Sequence, residues 1–225
     1  MPTISVGPGV DVTVSERGWF APPYTACRFA VEAEIALWMG YQVPLTRQPN
    51  GADNFVRDLQ VAGDNTPKNG STLAQGQKAI RVLLPDAPFL FGTLSDDEIT
   101  TAIANGAKVG FAVRMSQMPH DLRKFCGYGY GGGHYMCLGP SGLSDPMFKP
   151  AGQAHPLDVP LAEISGAIER DGKGNAIVVL GFKDAAYLRQ QLATAEAALA
   201  TAQNDQQAAQ AAITALQAKI AAQVV

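Results

Sequence analysis

The chain predicts an α+β domain of about 150 to 180 residues followed by one long helix. Capped helical patterns fill the first half of the domain, and short apolar runs bounded by Gly and Pro fill the second. Beyond Gly181, about 40 residues of Ala, Gln, Leu and Thr continue without a single Gly or Pro. The expected divisions are an N-terminal extension over 1–17, the α+β domain over 18–183 and the helix over 184–225.

In chain order, Ile4 to Val14 alternates loosely, like one or two short strands around Gly7-Pro8-Gly9, and Gly18 to Tyr24 with Pro22-Pro23 reads as a loop. Thr25 is the expected N-cap of a first helix that carries Cys27 in its first turn, runs to Met39 and ends at Gly40. Helices are expected at Asp53 to Val61, at Thr72 to Leu84 and at Ser95 to Ala104, where Ser95 and Glu98 form a capping box. Lys108 to Arg114, His134 to Leu138, Leu143 to Phe148 and Ala176 to Phe182 are the expected strands, with a short helix at Leu161 to Ile168.

The 225 residues are 47% apolar and carry a formal net charge of -3, with no basic stripe, so nucleic acid is not an expected partner. The start, Met1-Pro2-Thr3-Ile4, lacks the basic and apolar regions of a signal peptide, and no run of about 18 apolar residues could span a bilayer. A chain made and dissolved in the cytoplasm is expected. The cysteines, at 27, 126 and 137, are too widely spaced for a disulfide framework. Cys126, His134 and Cys137 match no common zinc spacing, so neither a metal nor another cofactor is expected.

The chemistry concentrates at three positions. A thiol in a helix's first turn meets unpaired N–H groups and the positive end of the dipole, an arrangement that holds negative charge on sulfur and makes Cys27 a candidate nucleophile. His134 opens an apolar strand after the glycine run 127–133, where its imidazole can take up the thiol proton. The turn Gly139-Pro140-Ser141-Gly142 returns the chain so that Asp145 can orient that imidazole. The plainer alternatives are a core cysteine, a hydrogen-bonded structural histidine and a turn-starting Asp-Pro. His120 and His155 sit in Pro-containing stretches and are expected to face solvent, while Trp19, Phe20 and Tyr24 could wall a cleft or pack in the core.

Cys27 with its apolar helix, then Gly106-Ala107-Lys108-Val109-Gly110-Phe111-Ala112-Val113, then Gly133-His134-Tyr135-Met136-Cys137-Leu138-Gly139, then Ser144-Asp145-Pro146 resembles the papain-like cysteine peptidases, in particular the branch that removes double-glycine leaders from bacteriocins. Gly70-Ser71-Thr72 resembles that family's second helix start, and Val159 to Ile164 and Ala176 to Leu180 its closing helix and strand. The resemblance covers roughly residues 18 to 183. It implies helices packed on an antiparallel sheet, with Cys27 as nucleophile, His134 as general base and Asp145 as the orienting acid. Two positions depart from the pattern. Ala21 stands where the family carries a glutamine that donates to the oxyanion, so Thr25 or another amide would have to substitute. Arg28 stands where glycine is common, either lining the cleft toward a substrate carboxylate or, as the simpler expectation, solvated on the helix. Gly133 and the glycines before it are expected to form the cleft's rim.

In the tail, Leu188, Leu192, Ala195, Leu199, Ala202, Gln206, Ala209, Ile213, Leu216 and Ile220 recur at alternating steps of four and three, a coiled-coil seam that must pack on copies of itself or on another helix. Taken together, the two parts suggest a phage virion protein of tail or baseplate, bearing a cysteine peptidase domain directed at cell-wall peptide bonds. The alternative is a catalytically weak structural virion protein. In either case, residues 188–220 would bind the same chain or other virion proteins.

Overall fold

Apolar side chains and alanines dominate the segment after Cys27, a helix whose largest part belongs inside the protein. In the computed structural model, which describes residues 26–41, 54–65, 70–125, 132–146, 158–183 and 185–223, it lies there. Helix α1 (Cys27–Trp38) is buried at every residue from Arg28 to Trp38. Phe29, Ile35 and Leu37 are fully buried, and each such side chain contributes about 1.5–3 kcal/mol. The N-cap position belongs to Ala26, not to the expected Thr25, and no side chain caps the helix. Thr25 itself lies outside the described residues, as do the strands expected within 4–14 and the loop at 18–24.

Around α1 the chain adds α2 (Asn54–Ala62), α3 (Leu73–Leu83), β1 (Leu90–Leu94), α4 (Asp96–Ala104), β2 (Ala107–Arg114), α5 (His120–Phe125), β3 (Gly133–Gly139), β4 (Gly142–Ser144), α6 (Leu161–Ile164) and β5 (Ala176–Phe182). The class is α+β, as the sequence predicts, with a five-stranded sheet in the order β1-β5-β2-β3-β4. Every pairing in it is antiparallel. One side of α1 meets α2 and α3 through Phe29, Ala33, Leu37, Phe55, Leu59 and Ile80. The other side meets the sheet through Val31, Ile35, Tyr135, Cys137 and Val179. Two glycines set that second distance: a Cβ at Gly110 would lie 2.7 Å from Val31 Cγ1, and one at Gly181 2.4 Å from Ile35 Cγ2, closer than carbon atoms pack.

The Ser95–Glu98 capping box forms as expected, and Thr72 with Gln75 makes another. Some elements differ from expectation. β1 and α5 were not anticipated, and the strand expected over 143–148 ends at Ser144 because Pro146 lies in a turn. The helix expected over 161–168 tightens into a 3₁₀ turn after Ile164.

Charge is also buried in this core. Lys108 Nζ lies 2.6 Å from Glu34 Oε1, with both side chains 1% exposed. The Cys137 thiol donates to Glu34 Oε1 at 3.1 Å and the Ser144 hydroxyl to Oε2 at 3.0 Å. A single carboxylate on α1 thus ties together β2, β3 and β4.

The second unit, residues 185–225, is built on α7 (Ala185–Gln223). Its 39 residues give a length of roughly 60 Å. Leu199, Ile213, Leu216 and Ile220 are all exposed. Among the described residues, no helix is long and apolar enough to cross a membrane.

Removing one member of a buried ion pair strands the other. Lys108→Met is therefore expected to lower unfolding stability by about 3–5 kcal/mol, measured by urea denaturation, while Lys108→Met combined with Glu34→Gln recovers part of the loss.

Candidate active site

β3 and β4 form a hairpin whose register pairs Gly139 with Gly142 and Cys137 with Ser144. Pro140 and Ser141 make the turn, and Gly142 closes it at φ 115°, a backbone angle that side-chain-bearing residues rarely adopt. Asp145 leaves the hairpin directly after β4, while His134 is the second residue of β3, opposite Val113 of β2. The connection brings the two side chains together: His134 Nε2 lies 2.6 Å from Asp145 Oδ1, each side chain 2% exposed. With Nε2 engaged, Nδ1 is the nitrogen left to exchange a proton with a partner.

That partner is Cys27. The first residue of α1 is partly exposed and lies within hydrogen-bonding and Coulombic reach of the His134 ring. The three residues singled out from sequence therefore meet at one place, a thiol at a helix start, an imidazole on a strand and a carboxylate behind it. Burial of the ring opposes its charged form. The Asp145 carboxylate, its hydrogen bond and the contact with Cys27 outweigh burial and hold His134 well above the usual histidine value of 6.5. An imidazolium beside a sulfur is thus a stable state of this site near neutral pH.

The remaining candidates fall differently. Gly133 is exposed, opens β3 opposite Arg114 and stands next to His134. Arg28 is not solvated: it is 5% exposed, and its guanidinium carbon sits 3.9 Å from the centroid of the Tyr135 ring. The expectation fails because α1 has no solvent face. Glu32, one turn further on, is fully buried beside it. Sequence reasoning passed over both Glu32 and Tyr135, although a Glu within an apolar helix and the aromatic after the histidine were the available signals. His120 faces solvent as expected, its nearest carboxylate being that of Asp121 at 3.6 Å. Ala21, Trp19, Phe20, Tyr24, Cys126 and His155 lie outside the described residues.

Chemically, the arrangement sets a protonated imidazole against a thiol at a partly exposed helix terminus, the pair of groups that nucleophilic attack on a carbonyl carbon uses. Among the described residues, no group of three or more His, Cys, Asp or Glu side chains is placed to bind a metal ion. Compared with known proteins, the chain matches no family model, no curated protein and no solved structure.

The His134 shift gives a direct test. Its imidazolium should titrate above 6.5 in an NMR pH series. In Asp145→Asn, where burial is no longer opposed by the carboxylate, the midpoint should fall below that value. A folded pKa raised above the unfolded one stabilises the protein fully below about pH 6.5 and ceases to do so as pH climbs through the folded value. The stability gap between wild type and Asp145→Asn should therefore widen as pH falls below 6.5 and narrow as pH rises through the folded His134 value.

Proposed function

We propose that the protein is a papain-like cysteine peptidase carried in a phage virion, in the tail or baseplate, with cell-wall peptide bonds as its substrate class. The Asp145–His134–Cys27 chain of contacts at the start of a buried helix is the observation that carries this reading. In this reading, the Cys27 thiolate attacks the scissile carbonyl carbon and the carbonyl π electrons move onto oxygen. As the tetrahedral intermediate collapses, the amine leaves with the proton from His134 Nδ1. Neutral His134 then takes a proton from water, whose oxygen attacks the thioester, and the acid product departs as Cys27 and His134 regain their charges. Asp145 holds the ring in the required orientation throughout. The antiparallel sheet with helices on α1's other side agrees with the layout that the sequence resemblance implies.

A second reading is favoured by Ala21, which stands at the usual glutamine position and offers no side-chain donor to an oxyanion. Loss of one such donor typically costs about 100- to 1000-fold in rate. In this version the fold is a structural part of the virion with weak or no catalysis.

The C-terminal helix belongs to both readings. Its seam of Leu199, Ile213, Leu216 and Ile220 is apolar and exposed in the single chain, and Gln206 interrupts it at a core position, where polar residues set register. We assign it to a coiled coil with further copies of the chain or with a virion partner.

The catalytic and structural readings separate without a substrate. Iodoacetamide should alkylate Cys27 of the wild type well below pH 8.5, the region of free thiols, as located by peptide mass spectrometry. His134→Ala should abolish that low-pH reactivity. Slow labelling indifferent to His134 would leave only the structural reading. For the helix, sedimentation equilibrium should find an oligomer that Ile213→Asp shifts toward monomer. A wild type that stays monomeric at high concentration would remove self-assembly.

A further inference from the structure

The residue after the candidate nucleophile touches the residue after the candidate base. Arg28 follows Cys27 on α1, Tyr135 follows His134 on β3, and the guanidinium lies 3.9 Å from the centroid of the phenol ring. Both side chains are buried, Arg28 to 5% and Tyr135 to 2% exposure. The Tyr135 hydroxyl donates to the Gly110 carbonyl at 3.3 Å, which fixes the ring against β2.

This is an expensive way to fill the space. Arg28 Nε and Nη1 find no hydrogen-bond partner among the described residues, nor does either carboxyl oxygen of neighbouring Glu32. Burial pushes the Glu32 carboxyl up to about 8, against the opposing charge of Arg28, so near neutral pH it sits there as an uncharged acid and does not neutralise the guanidinium. Gly76 of α3 leaves room for it: a Cβ there would fall 2.0 Å from Glu32 Oε1. A buried cation with unsatisfied N–H groups lowers stability relative to an apolar side chain of similar volume. Stability is therefore not what the arginine contributes at this position, whereas its place directly after Cys27, stacked on the residue directly after His134, gives it a different use.

We infer that Arg28 is a positioning residue, its stack on Tyr135 clamping the first turn of α1 to the start of β3 and so holding the Cys27 thiol against the His134 imidazole. The inference rests on the peptidase reading of the site. It adds a contact between two residues that take no part in the steps written above. The stack is directional, because a guanidinium prefers the ring's face, and it ties two segments that lie more than a hundred residues apart in the chain.

The test compares Cys27 alkylation by iodoacetamide across pH with thermal unfolding, in full-length protein. Arg28→Met should melt at or above the wild-type temperature, yet lose on the order of tenfold to a hundredfold of the low-pH alkylation rate, the scale expected for a misplacement of about 1 Å. Tyr135→Leu, which removes the ring and keeps the arginine, should show the same altered pH profile. Tyr135→Phe, which keeps the ring face, should restore most of it. His134→Ala is the control for the underlying reading. If it leaves the wild-type profile unchanged, the peptidase assignment and this inference both fall. If it abolishes low-pH reactivity while Arg28→Met and Tyr135→Leu retain the wild-type profile, the clamp alone is wrong. A fall in melting temperature with an unchanged profile in either variant would make the stack an ordinary packing contact and likewise overturn the inference. Should Arg28→Met not fold, Tyr135→Leu against Tyr135→Phe decides by the same criteria.

Discussion

The complete burial of α1 is the constraint on which the domain turns. A helix with no solvent face has to be enclosed by two layers, here α2 with α3 on one side and the sheet on the other. Its spacing from the sheet cannot drift, because Gly110 and Gly181 admit Val31 and Ile35 to a depth that any side chain would block. Its axial position is fixed as well, by Glu34 accepting from Lys108, Cys137 and Ser144. The placement of Cys27 is thus the end result of contacts made along the whole length of the helix. The thiol meets the imidazole because the helix has nowhere else to sit.

The polar groups in this core divide into two kinds. Around Glu34 the partners are paired, and the cluster joins four elements. Around Arg28 and Glu32 they are not, and one of the two is held uncharged. Burial of this sort is costly wherever it occurs, and the two clusters share one short helix, with Glu32 and Glu34 only two residues apart. Arg28 of the incompletely bonded cluster follows Cys27, and Ser144 of the satisfied cluster precedes Asp145. Incomplete pairing beside a site is expected where geometry there matters more than stability.

Much of this was legible in the amino-acid order. Gly40 closes α1, Ser95 and Glu98 open α4, and the alternating apolar runs of β2, β3 and β5 are strands. These signals are local, so the sequence displays them. β1 was missed because Leu90 to Leu94 is short, sits just past Pro85 and Pro88, and is stabilised by pairing with β5, some eighty residues later. The environment of Arg28 was misread for a similar reason. Arg28 and Glu32 stand four residues apart, the usual pattern of a solvated helix face, and only the tertiary enclosure of α1 turns that stripe inward. The meeting of Cys27, His134 and Asp145 was expected from residue types and order, while the guanidinium-aromatic stack behind it required the register of α1 against β3.

The strand order carries a consequence for how the protein comes into being. β5, the last strand made, lies in the interior of the sheet between β1 and β2, so the first four strands cannot form one continuous sheet while the ribosome is still adding residues before Ala176. Until then, β1 lacks β5, the strand it pairs with. Pairings between such distant segments form slowly. A nascent chain therefore cannot close this sheet until it has passed residue 176 of its 225.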